Sequence, residues 1–332
     1  MSDTSTQTAD IGLLGRIVPG ATSSSDAMTK IWQTIAIPVI SIMIFLFAWQ
    51  QVASSIHTSL GAIPGPVAVF EETLILWEDH QQTRAKETKF YERQEKRNAA
   101  KLKKNPDAEV KIRAYTGKPT YFDQIITSLK TVFMGFVLAT AIAVPLGIAC
   151  GLNKNVNAAF NPLIQIFKPV SPLAWLPIVT MVVSALYVSD DPIFDKSFLT
   201  SAITVTLCSL WPTLINTSLG VASIDKDLLN VSRVLRLDAK TTIFKMILPS
   251  SLPLIFTGLR LSLGVGWMVL IAAEMLAQNP GLGKFVWDEF QNGSSHSLSR
   301  IMVAVFTIGI IGFALDRVMY TLQDFFTFTD KR

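Results

Sequence analysis

Among the ionisable side chains within the long apolar stretches of this sequence, three stand out as the first candidates for chemistry. Lys130 comes early in one stretch, Arg260 about a third of the way into another, and Glu274 near the far end of that same stretch. A charge is costly to place inside a membrane, so ionisable residues there are functional candidates by default. Arg260 and Glu274 would lie about 21 Å apart on a continuous helix, which is too far for a direct ion pair.

No constellation typical of an enzyme occurs in the sequence. The stretch "NPGLGKF" contains a Gly-Lys pair, but Phe285 stands where a phosphate-binding loop needs Ser or Thr to hold magnesium. This stretch is therefore predicted to be a turn. His57, His80 and His296 lack the spacing of metal ligands, and no Ser/His/Asp or HExxH arrangement is present. We expect the chain alone to hold no metal or cofactor and to catalyse no reaction.

The composition is that of a membrane protein. Half of the residues are hydrophobic and 16% are charged, whereas an ordinary soluble domain has about a quarter charged residues. The net charge of +4 is small, and no basic tract lies beside stacking aromatic residues, so a nucleic-acid partner is not expected. Cys150 and Cys208 fall within apolar runs, which indicates packed thiols without a disulfide framework.

Six segments are long and apolar enough to cross a bilayer, for which a helix needs about 20 residues. They lie at about 32–53, 125–150, 163–187, 198–220, 252–277 and 300–323. The third is expected to be broken by its prolines Pro169, Pro172 and Pro177. Glycines suit close packing between spans, which we predict at Gly147, Gly151, Gly258, Gly264 and Gly266.

The orientation of the spans follows from their number and from the loop charges. Six spans put both termini on one side, and the basic loop 225–245 is predicted to be cytoplasmic. The connection 61–120 contains more Lys and Arg, yet the number of spans places it on the other side. Its charge does not decide its location, because loops of that length translocate largely regardless of charge. The first thirty residues lack the basic start and cleavage site of a signal peptide, so the first apolar run is expected to stay as a span.

The connection 61–120 is expected to have structure of its own. The stretch "GAIPGPVAVFEETLILWED" predicts a turn and then a short amphipathic helix at the interface, from Val67 to Trp77. Mixed-charge helix formers follow up to Lys104, and Asn105-Pro106 breaks the pattern. One interpretation is a solvated helical hairpin; another is a docking surface for an extracytoplasmic partner.

A polar segment, "DKDLLNVSRVLRLDAKTTIFKMILPSSLP" (225–253), separates two apolar spans. Asp225 or Ser223 can cap a first short helix. Leu228, Val231 and Leu235 then fall at positions i, i+3 and i+7 and form one apolar stripe. Asp238 can cap a second helix over 239–247, ending at Leu248-Pro249 because the residue before a proline avoids the helical region. The stripe must be buried against a partner, since a plain connecting loop would need neither caps nor stripe.

This segment resembles the signature loop of ATP-binding-cassette importer permeases, E-A-A-x-x-x-G followed about nine residues later by I-x-L-P. The pattern aligns here as Asn230, Val231 and Ser232, then Arg236 at the glycine position, then Met246-x-Leu248-Pro249. The flanking "LINTSLGVASIDKDLLNVSRVLRL", "LPSSLPLIFTGLRLSLGVGWMVLIAAEML" and "KPVSPLAWLP" resemble the importers of nitrate, bicarbonate, cyanate, sulfonates and taurine. The likeness is greatest to bacterial nitrate importer permeases and covers roughly 120–325.

The resemblance implies an all-α, polytopic membrane protein with six transmembrane helices and a type I ABC-importer-like permease fold. It implies a pore of two permease copies, cytosolic ABC ATPase subunits that bind ATP and magnesium, and a periplasmic or lipid-anchored substrate-binding protein. The expected location is the bacterial inner membrane. The predicted organisation is a polar cytoplasmic segment (1–30), a first span (31–54), a charged extracytoplasmic connection (55–120), a permease core of five spans (121–325) containing the cytoplasmic coupling loop 221–250, and a cytoplasmic tail (326–332).

Two candidate sites follow, one from the signature-like loop and one from the charges and prolines inside the apolar stretches. The residues expected to contact the ATPase are Leu228, Asn230, Val231, Ser232, Arg233, Leu235, Arg236, Asp238, Lys240 and Pro249. The bases among them could instead satisfy lipid headgroups. The residues expected along the translocation pathway are Lys130, Pro172, Trp175, Pro177, Arg260 and Glu274. In an anion importer Lys130 and Arg260 could lend positive potential to the pathway. Alternatively, each could snorkel to the interface or pair with another span.

Glu274 and the prolines of the third span each have an alternative role. Glu274 would repel an anion, so we expect it to hold a gate or anchor a loop. The prolines free backbone groups, as broken helices do where they line cavities, or they merely kink the span.

Nitrate is the predicted substrate, with bicarbonate, cyanate and sulfonate or taurine as alternatives. An ATPase-independent secondary transporter would predict inverted repeats and an ionisable relay in mid-membrane. A membrane-embedded enzyme would require a catalytic constellation, and the sequence contains none.

Overall fold

Helices form the apolar stretches of the chain. The computed structural model describes residues 29, 32–58, 61–105, 110, 112–188, 192–294 and 296–327. The chain divides into two units, Met1–Glu71 and Glu72–Arg332.

The first unit is built around one exposed apolar helix. A π-helical turn (Trp32–Ala36) leads into helix α1 (Ile37–Ser55). Strands β1 (His57–Thr58) and β2 (Gly61–Ala62) then pair as a short antiparallel ribbon. The large apolar side chains of α1 are exposed, as expected for a helix whose natural surroundings are lipid.

Helix α2 (Pro66–Lys104) is 39 residues long. It begins in the first unit and continues into the second. The predicted end of this helix at Trp77 is wrong, and so is the interpretation as a helical hairpin. The residues beyond Trp77 are mostly Glu, Lys, Arg, Gln and Ala, which have high helix propensity, and no Gly or Pro interrupts them before Pro106.

An extended segment returns beside α2 over residues 112–120. The Gln94 side chain donates to the Arg113 carbonyl (3.2 Å) and accepts from the Arg113 N–H (2.9 Å). The Tyr91 hydroxyl accepts from the Tyr115 N–H at 3.1 Å. These bonds hold the returning segment against the helix.

Helix α3 (Tyr121–Leu152) starts at a reciprocal cap in which Thr120 and Asp123 bond each other's backbone N–H groups. The side chains of α2 reach this cap. His80 Nδ1 lies 2.7 Å from the Thr120 hydroxyl, and Arg84 forms an ion pair with Asp123. The middle of α2 is therefore fixed to the first turn of α3.

Two shorter helices follow, α4 (Lys154–Phe167) and α5 (Pro172–Leu186), and they bend by 103° at the break between them. The break predicted for the third span is confirmed at Pro169 and Pro172. The break predicted at Pro177 is wrong, because Pro177 lies inside the continuous helix α5.

Helix α6 (Lys196–Ala222) lies at the centre of the second unit, between α3 and α9 (Leu248–Ala277). Glycines on α3 and α9 let the backbones approach closely, as predicted. A Cβ at Gly147 would come within 2.8 Å of the Leu214 carbonyl oxygen, and Gly151 and Gly258 are equally tight. The expectation is wrong at Gly264, where a Cβ would meet no atom within 4 Å.

The polar segment between α6 and α9 contains α7 (Lys226–Val234), α8 (Ala239–Thr242) and a π-helical turn (Ile243–Ile247). The π turn runs directly into α9, so the predicted helix end at Leu248-Pro249 is wrong. Pro249 lies in the first turn of α9. The wide turn before it accommodates a residue that cannot donate a backbone hydrogen bond.

Two further helices complete the second unit, α10 (Leu282–Asn292) and α11 (Ser297–Phe326). Among the described residues, five helices are long and apolar enough to cross a membrane, or six if the bent pair α4–α5 counts as one span.

Candidate functional site

The polar segment begins with a capped helix. The Asp225 carboxylate accepts from the Asp227 N–H at 2.9 Å, so Asp225 fixes the start of α7. The Ser223 hydroxyl donates to the Gly220 carbonyl and serves the end of α6 instead. Of the two predicted caps, Asp225 is the one that the structure uses.

The apolar stripe of this segment is exposed. Leu228, Val231 and Leu235 have 37%, 49% and 63% of their surface accessible, whereas Ser232 is buried at 6%. Val234, which sequence reasoning missed, extends the same surface and is 81% exposed. Its position three residues after Val231 is the helical spacing that could have revealed it. We call Leu228, Val231, Val234 and Leu235 the apolar edge.

The joint after α7 has an unusual backbone. Arg236 adopts φ 51°, in the left-handed region that a non-glycine residue occupies at a cost of about 1–2 kcal/mol. The Leu237 N–H donates to the Ser232 carbonyl at 3.0 Å and closes the turn. Arg236 stands where the resembling signature loop has glycine, so this chain retains the glycine-like conformation without the glycine.

The other residues predicted to contact an ATPase lie on the same segment. Asn230 and Lys240 are exposed, and Asp238 starts α8 with an extended backbone (φ −68°, ψ 160°). The Arg233 side chain falls outside the part of the chain that the structure describes.

Glu274 lies at the end of α9 and is fully buried, at 0% exposure. The Ser128 hydroxyl donates to its two carboxylate oxygens at 2.9 and 2.8 Å, and the Gly283 N–H donates to it at 3.0 Å. The same Ser128 oxygen accepts from the Leu282 N–H at 2.9 Å. A Cβ at Gly281 would overlap the Glu274 carboxylate. The glycines of "NPGLGKF" thus allow the loop backbone to surround this carboxylate.

Arg260 is paired, and its partner was missed by sequence reasoning. Its guanidinium forms a two-pronged ion pair with Asp316 of α11, with Nη2 at 2.8 Å from Oδ2, and lies over the Tyr320 ring at 5.6 Å from the ring centroid. The pair borders a cavity of about 220 Å³ between α9 and α11, near Trp267 and Gly312. Asp316 was the available signal, because it is a carboxylate within the sixth apolar stretch.

The remaining pathway candidates are dispersed. Lys130 is exposed and has no ion pair with any described residue. Pro172 is the first residue of α5, and Pro177 is exposed inside it. The buried indole nitrogens of Trp175 and Trp211 lack hydrogen-bond partners among the described residues. The Phe167 ring stacks with Trp211 and is tilted against Trp175.

A second buried charge cluster joins α2, α10 and α11. The buried Glu72 carboxylate accepts from Arg300 Nε at 2.8 Å and lies 2.9 Å from His296 Nδ1. Arg300 also reaches Glu289 at 3.2 Å. Sequence reasoning missed this cluster, because Glu72 and Arg300 are far apart in the chain. Within the described ranges, no group of three His, Cys, Asp or Glu side chains is arranged to hold a metal ion.

Comparison with known proteins identifies the family. Residues 143–327, more than half of the chain, match the family described as binding-protein-dependent transport system inner membrane component. The nitrate import permease protein NrtB of Synechococcus elongatus is 36% identical over 196 residues, covering 59% of this chain and 66% of that protein. The bicarbonate transport system permease protein CmpB of the same species is 34% identical over 290 residues, covering 87% and 88%.

Among solved structures, a chain of the inward-facing MetNI methionine ABC transporter is 14% identical with a TM-score of 0.49, over 60% of this chain and 95% of that one.

The family match confirms the predicted fold class, an all-α, polytopic permease fold of the ABC-importer type. Permeases of this kind work in the inner membrane with an ATPase and a substrate-binding protein. With its helical spans, its signature-like polar segment and these relatives, the chain belongs to the binding-protein-dependent transport system inner membrane components, as an ABC importer permease of the nitrate/bicarbonate group.

Proposed function

We propose that this chain forms the translocation pathway of an ATP-driven nitrate importer. Two copies build the pore, a cytosolic ABC ATPase binds ATP and magnesium, and a periplasmic or lipid-anchored binding protein delivers the anion. The relative that is named a nitrate import permease supports this substrate. In this proposal the chain has no nucleotide site of its own. The segment 225–249, which we call the coupling segment, transmits the movement of the ATPase to the spans.

The observation that carries the coupling proposal is the exposure of the apolar edge. Leu228, Val231 and Val234 lie on a nine-residue helix outside the apolar spans, and Leu235 directly follows it. Between 37% and 81% of the surface of these four residues is accessible. An apolar patch of this kind on a polar segment indicates a protein contact. Lys240 and Arg236 are exposed beside it and would pair with carboxylates of the ATPase.

The hydrogen-bond network at Glu274 supports the proposed sidedness. Ser128, near the start of α3, bonds Glu274 at the end of α9, whereas the coupling segment precedes the start of α9. The start of α3 and the coupling segment are therefore at opposite ends of α9. Because α2 is fixed to the first turn of α3 through Arg84 and Asp123, a cytoplasmic coupling segment puts this part of α2 outside the cytoplasm. Both termini would then be cytoplasmic.

The coupling proposal is tested by Leu235→Asp. A charge in the apolar edge should abolish copurification of the ATPase, while the permease still inserts into the membrane. Leu102→Asp on α2 is the matched control, because Leu102 is also exposed (41%) and lies outside the coupling segment. If the ATPase copurifies equally well with both variants, the edge is not the contact.

The substrate is tested by anion uptake in a deletion strain that carries this gene with its ATPase and binding protein. Uptake of labelled nitrate, bicarbonate and taurine should be compared at the same concentration. Nitrate uptake that requires a functional ATPase is the expected result. Nitrate uptake that persists without any ATPase would instead favour a secondary transporter.

Bicarbonate is the second candidate substrate, and alignment length favours it. The relative named a bicarbonate permease aligns over 87% of this chain, whereas the relative named a nitrate permease aligns over 59%. The difference includes residues before the family match, where specificity for a delivery protein could reside. The uptake assay distinguishes the two anions directly.

We place the pathway near the break between α4 and α5. The buried Trp175 indole N–H has no acceptor among the described residues, and an indole can only donate, so an oxyanion is a suitable partner for it. Pro172 and Pro177 shape this helix, and Lys130 and Arg260 would add positive potential. Since Asp316 neutralises Arg260 in this conformation, its contribution requires that the ion pair open. Glu274 holds the loop at the outer end of α9.

A further inference from the structure

A basic groove lies on the long helix α2, outside the family match. It has a volume of about 360 Å³ and is lined by Arg93, Arg97 and Lys101 of α2 and by Arg113 of the returning segment. These four residues define what we call the basic groove. In the sequence, bases outnumber acids in this region, but the two are interspersed and no basic cluster stands out.

Folding as one helix sorts these charges onto different sides. Arg93, Arg97 and Lys101 are spaced by four residues and therefore lie on one face of the helix. Glu92 and Glu95 line a separate hollow together with Lys96 and Ala99. The interspersed charges of the sequence thus separate into a cationic face and a face that carries Glu92 and Glu95.

The cations of the basic groove are not neutralised by described residues. None of the four forms an ion pair there, although Arg84 on the same helix binds both Glu87 and Asp123. Four like charges around one hollow repel each other, and a multivalent anion would relieve that repulsion.

The groove is also organised before any ligand arrives. Both polar ends of the Gln94 side chain hold the Arg113 backbone, at 3.2 and 2.9 Å, and the Phe90 ring packs against Tyr115 with centroids 5.5 Å apart. The Arg93 Nε donates to the Lys89 carbonyl at 3.0 Å. Arg113 is therefore presented opposite the helix face rather than on a free strand. Guanidinium groups match phosphate oxygens in a two-pronged geometry.

We infer that the basic groove binds a multivalent phosphate anion. Its volume is that of a site for a small organic or polyphosphate molecule, of roughly 300–1,000 Å³, and is much larger than nitrate or bicarbonate requires. Three arginines and a lysine suit a ligand with several negative charges. A phosphate could come from a free polyphosphate or from an anionic lipid headgroup. The free anion fits better, since one lipid phosphodiester carries a single charge.

The test uses the full chain in nanodiscs of zwitterionic lipid and sodium pyrophosphate as the probe. Isothermal titration calorimetry at fixed ionic strength should show saturable binding. Arg97→Gln and Lys101→Gln should each weaken binding about tenfold or more, as expected for loss of a charged hydrogen bond. Lys103→Gln is the matched control, because Lys103 is two residues away on another face of the helix and does not line the groove.

The possible outcomes separate the sources of the ligand. If nanodiscs with phosphatidylglycerol block pyrophosphate binding at the groove, the phosphate of a lipid headgroup is the occupant, and the phosphate chemistry still holds. Equal weakening by Lys101→Gln and Lys103→Gln would overturn the inference, because it would show only a diffuse positive field. Absence of saturable binding to the folded wild-type chain would overturn it as well. Unchanged size-exclusion profiles and helical circular dichroism show that the variants are folded.

Discussion

Replacement of Ser128 by alanine tests how the C-terminal end of α9 is held. The Ser128 hydroxyl donates to the Glu274 carboxylate and accepts from the Leu282 N–H, and Ser128 and Glu274 are both fully buried. Alanine removes one hydrogen bond to a charged group, worth about 1.5–3 kcal/mol, and leaves the Leu282 amide without this acceptor at a further cost of about 1–3 kcal/mol. We expect the variant to lose about 3–5 kcal/mol of unfolding free energy.

Equilibrium unfolding in mixed micelles measures this loss. The control is Thr127→Ala, one residue away, whose hydroxyl donates to the Asp123 carbonyl at 3.0 Å within its own helix and to no other described residue. Its cost should stay within about 0.5 kcal/mol. Hydrogen exchange supplies a local readout, because the amides of Leu282 and Gly283 should exchange faster in Ser128→Ala alone.

A loss below about 1 kcal/mol would refute the assignment, because that range corresponds to a neutral hydrogen bond at best. Unchanged exchange at Leu282 would refute it independently. Either result would mean that water or a rearranged loop satisfies Glu274, and that the end of α9 is not fixed by Ser128.

Three further substitutions have definite expected outcomes. Arg236→Gly should raise the unfolding free energy by about 0.5–1 kcal/mol, since glycine adopts φ 51° at little cost; a loss of stability in the same unfolding assay would contradict this. Trp175→Phe keeps the ring but removes the unpaired N–H, so anion uptake should fall while complex assembly stays intact. Trp267→Phe is the contrasting control, because it removes a hydrogen bond to the Ile308 carbonyl and should lower the unfolding free energy. Equal anion uptake by wild type and Trp175→Phe would show that Trp175 does not contribute to the pathway. Glu72→Gln should destabilise by about 2 kcal/mol, because it weakens a buried carboxylate cluster, whereas exposed Glu71→Gln should cost little; equal effects would refute the role of the cluster.

Local features of this chain were predictable from sequence because the interactions that decide them are near neighbours. The Asp225 cap, the break at Pro169 and Pro172, and the apolar edge on α7 all depend on residues within one or two helical turns. Errors arose where the local rule was too strict. A proline was expected to end the helix at Leu248-Pro249, but the π turn before it accommodates the missing donor.

Pairings between distant elements could not be predicted in the same way. Arg260 and Asp316 are 56 residues apart, and Ser128 and Glu274 are 146 apart. A single sequence contains the charged residues but not the helix packing that brings them together. The basic groove is an intermediate case, since the four-residue spacing of its cations was visible but the unbroken length of α2 was not expected.

The continuity of α8 with α9 determines how a movement at the coupling segment would reach the far side of the membrane. The helical stretch Ala239–Ala277 has 39 residues, about 58 Å in length, and no helix break separates its two ends. One end adjoins the left-handed joint at Arg236, and the other is fixed by the Glu274 network. Bending is therefore expected at two places, the joint at Arg236 and the π turn with Pro249 that follows it, while the rest of α9 transmits displacement. Since the Glu274 network ties the end of α9 to α3 and α10, a displacement of α9 driven by a partner at the apolar edge would also act on these two helices. The Arg260–Asp316 ion pair joins α9 to α11, so a movement of α9 relative to α11 would strain or open it. In the proposed importer, we therefore expect the state of this pair to differ between inward-facing and outward-facing conformations.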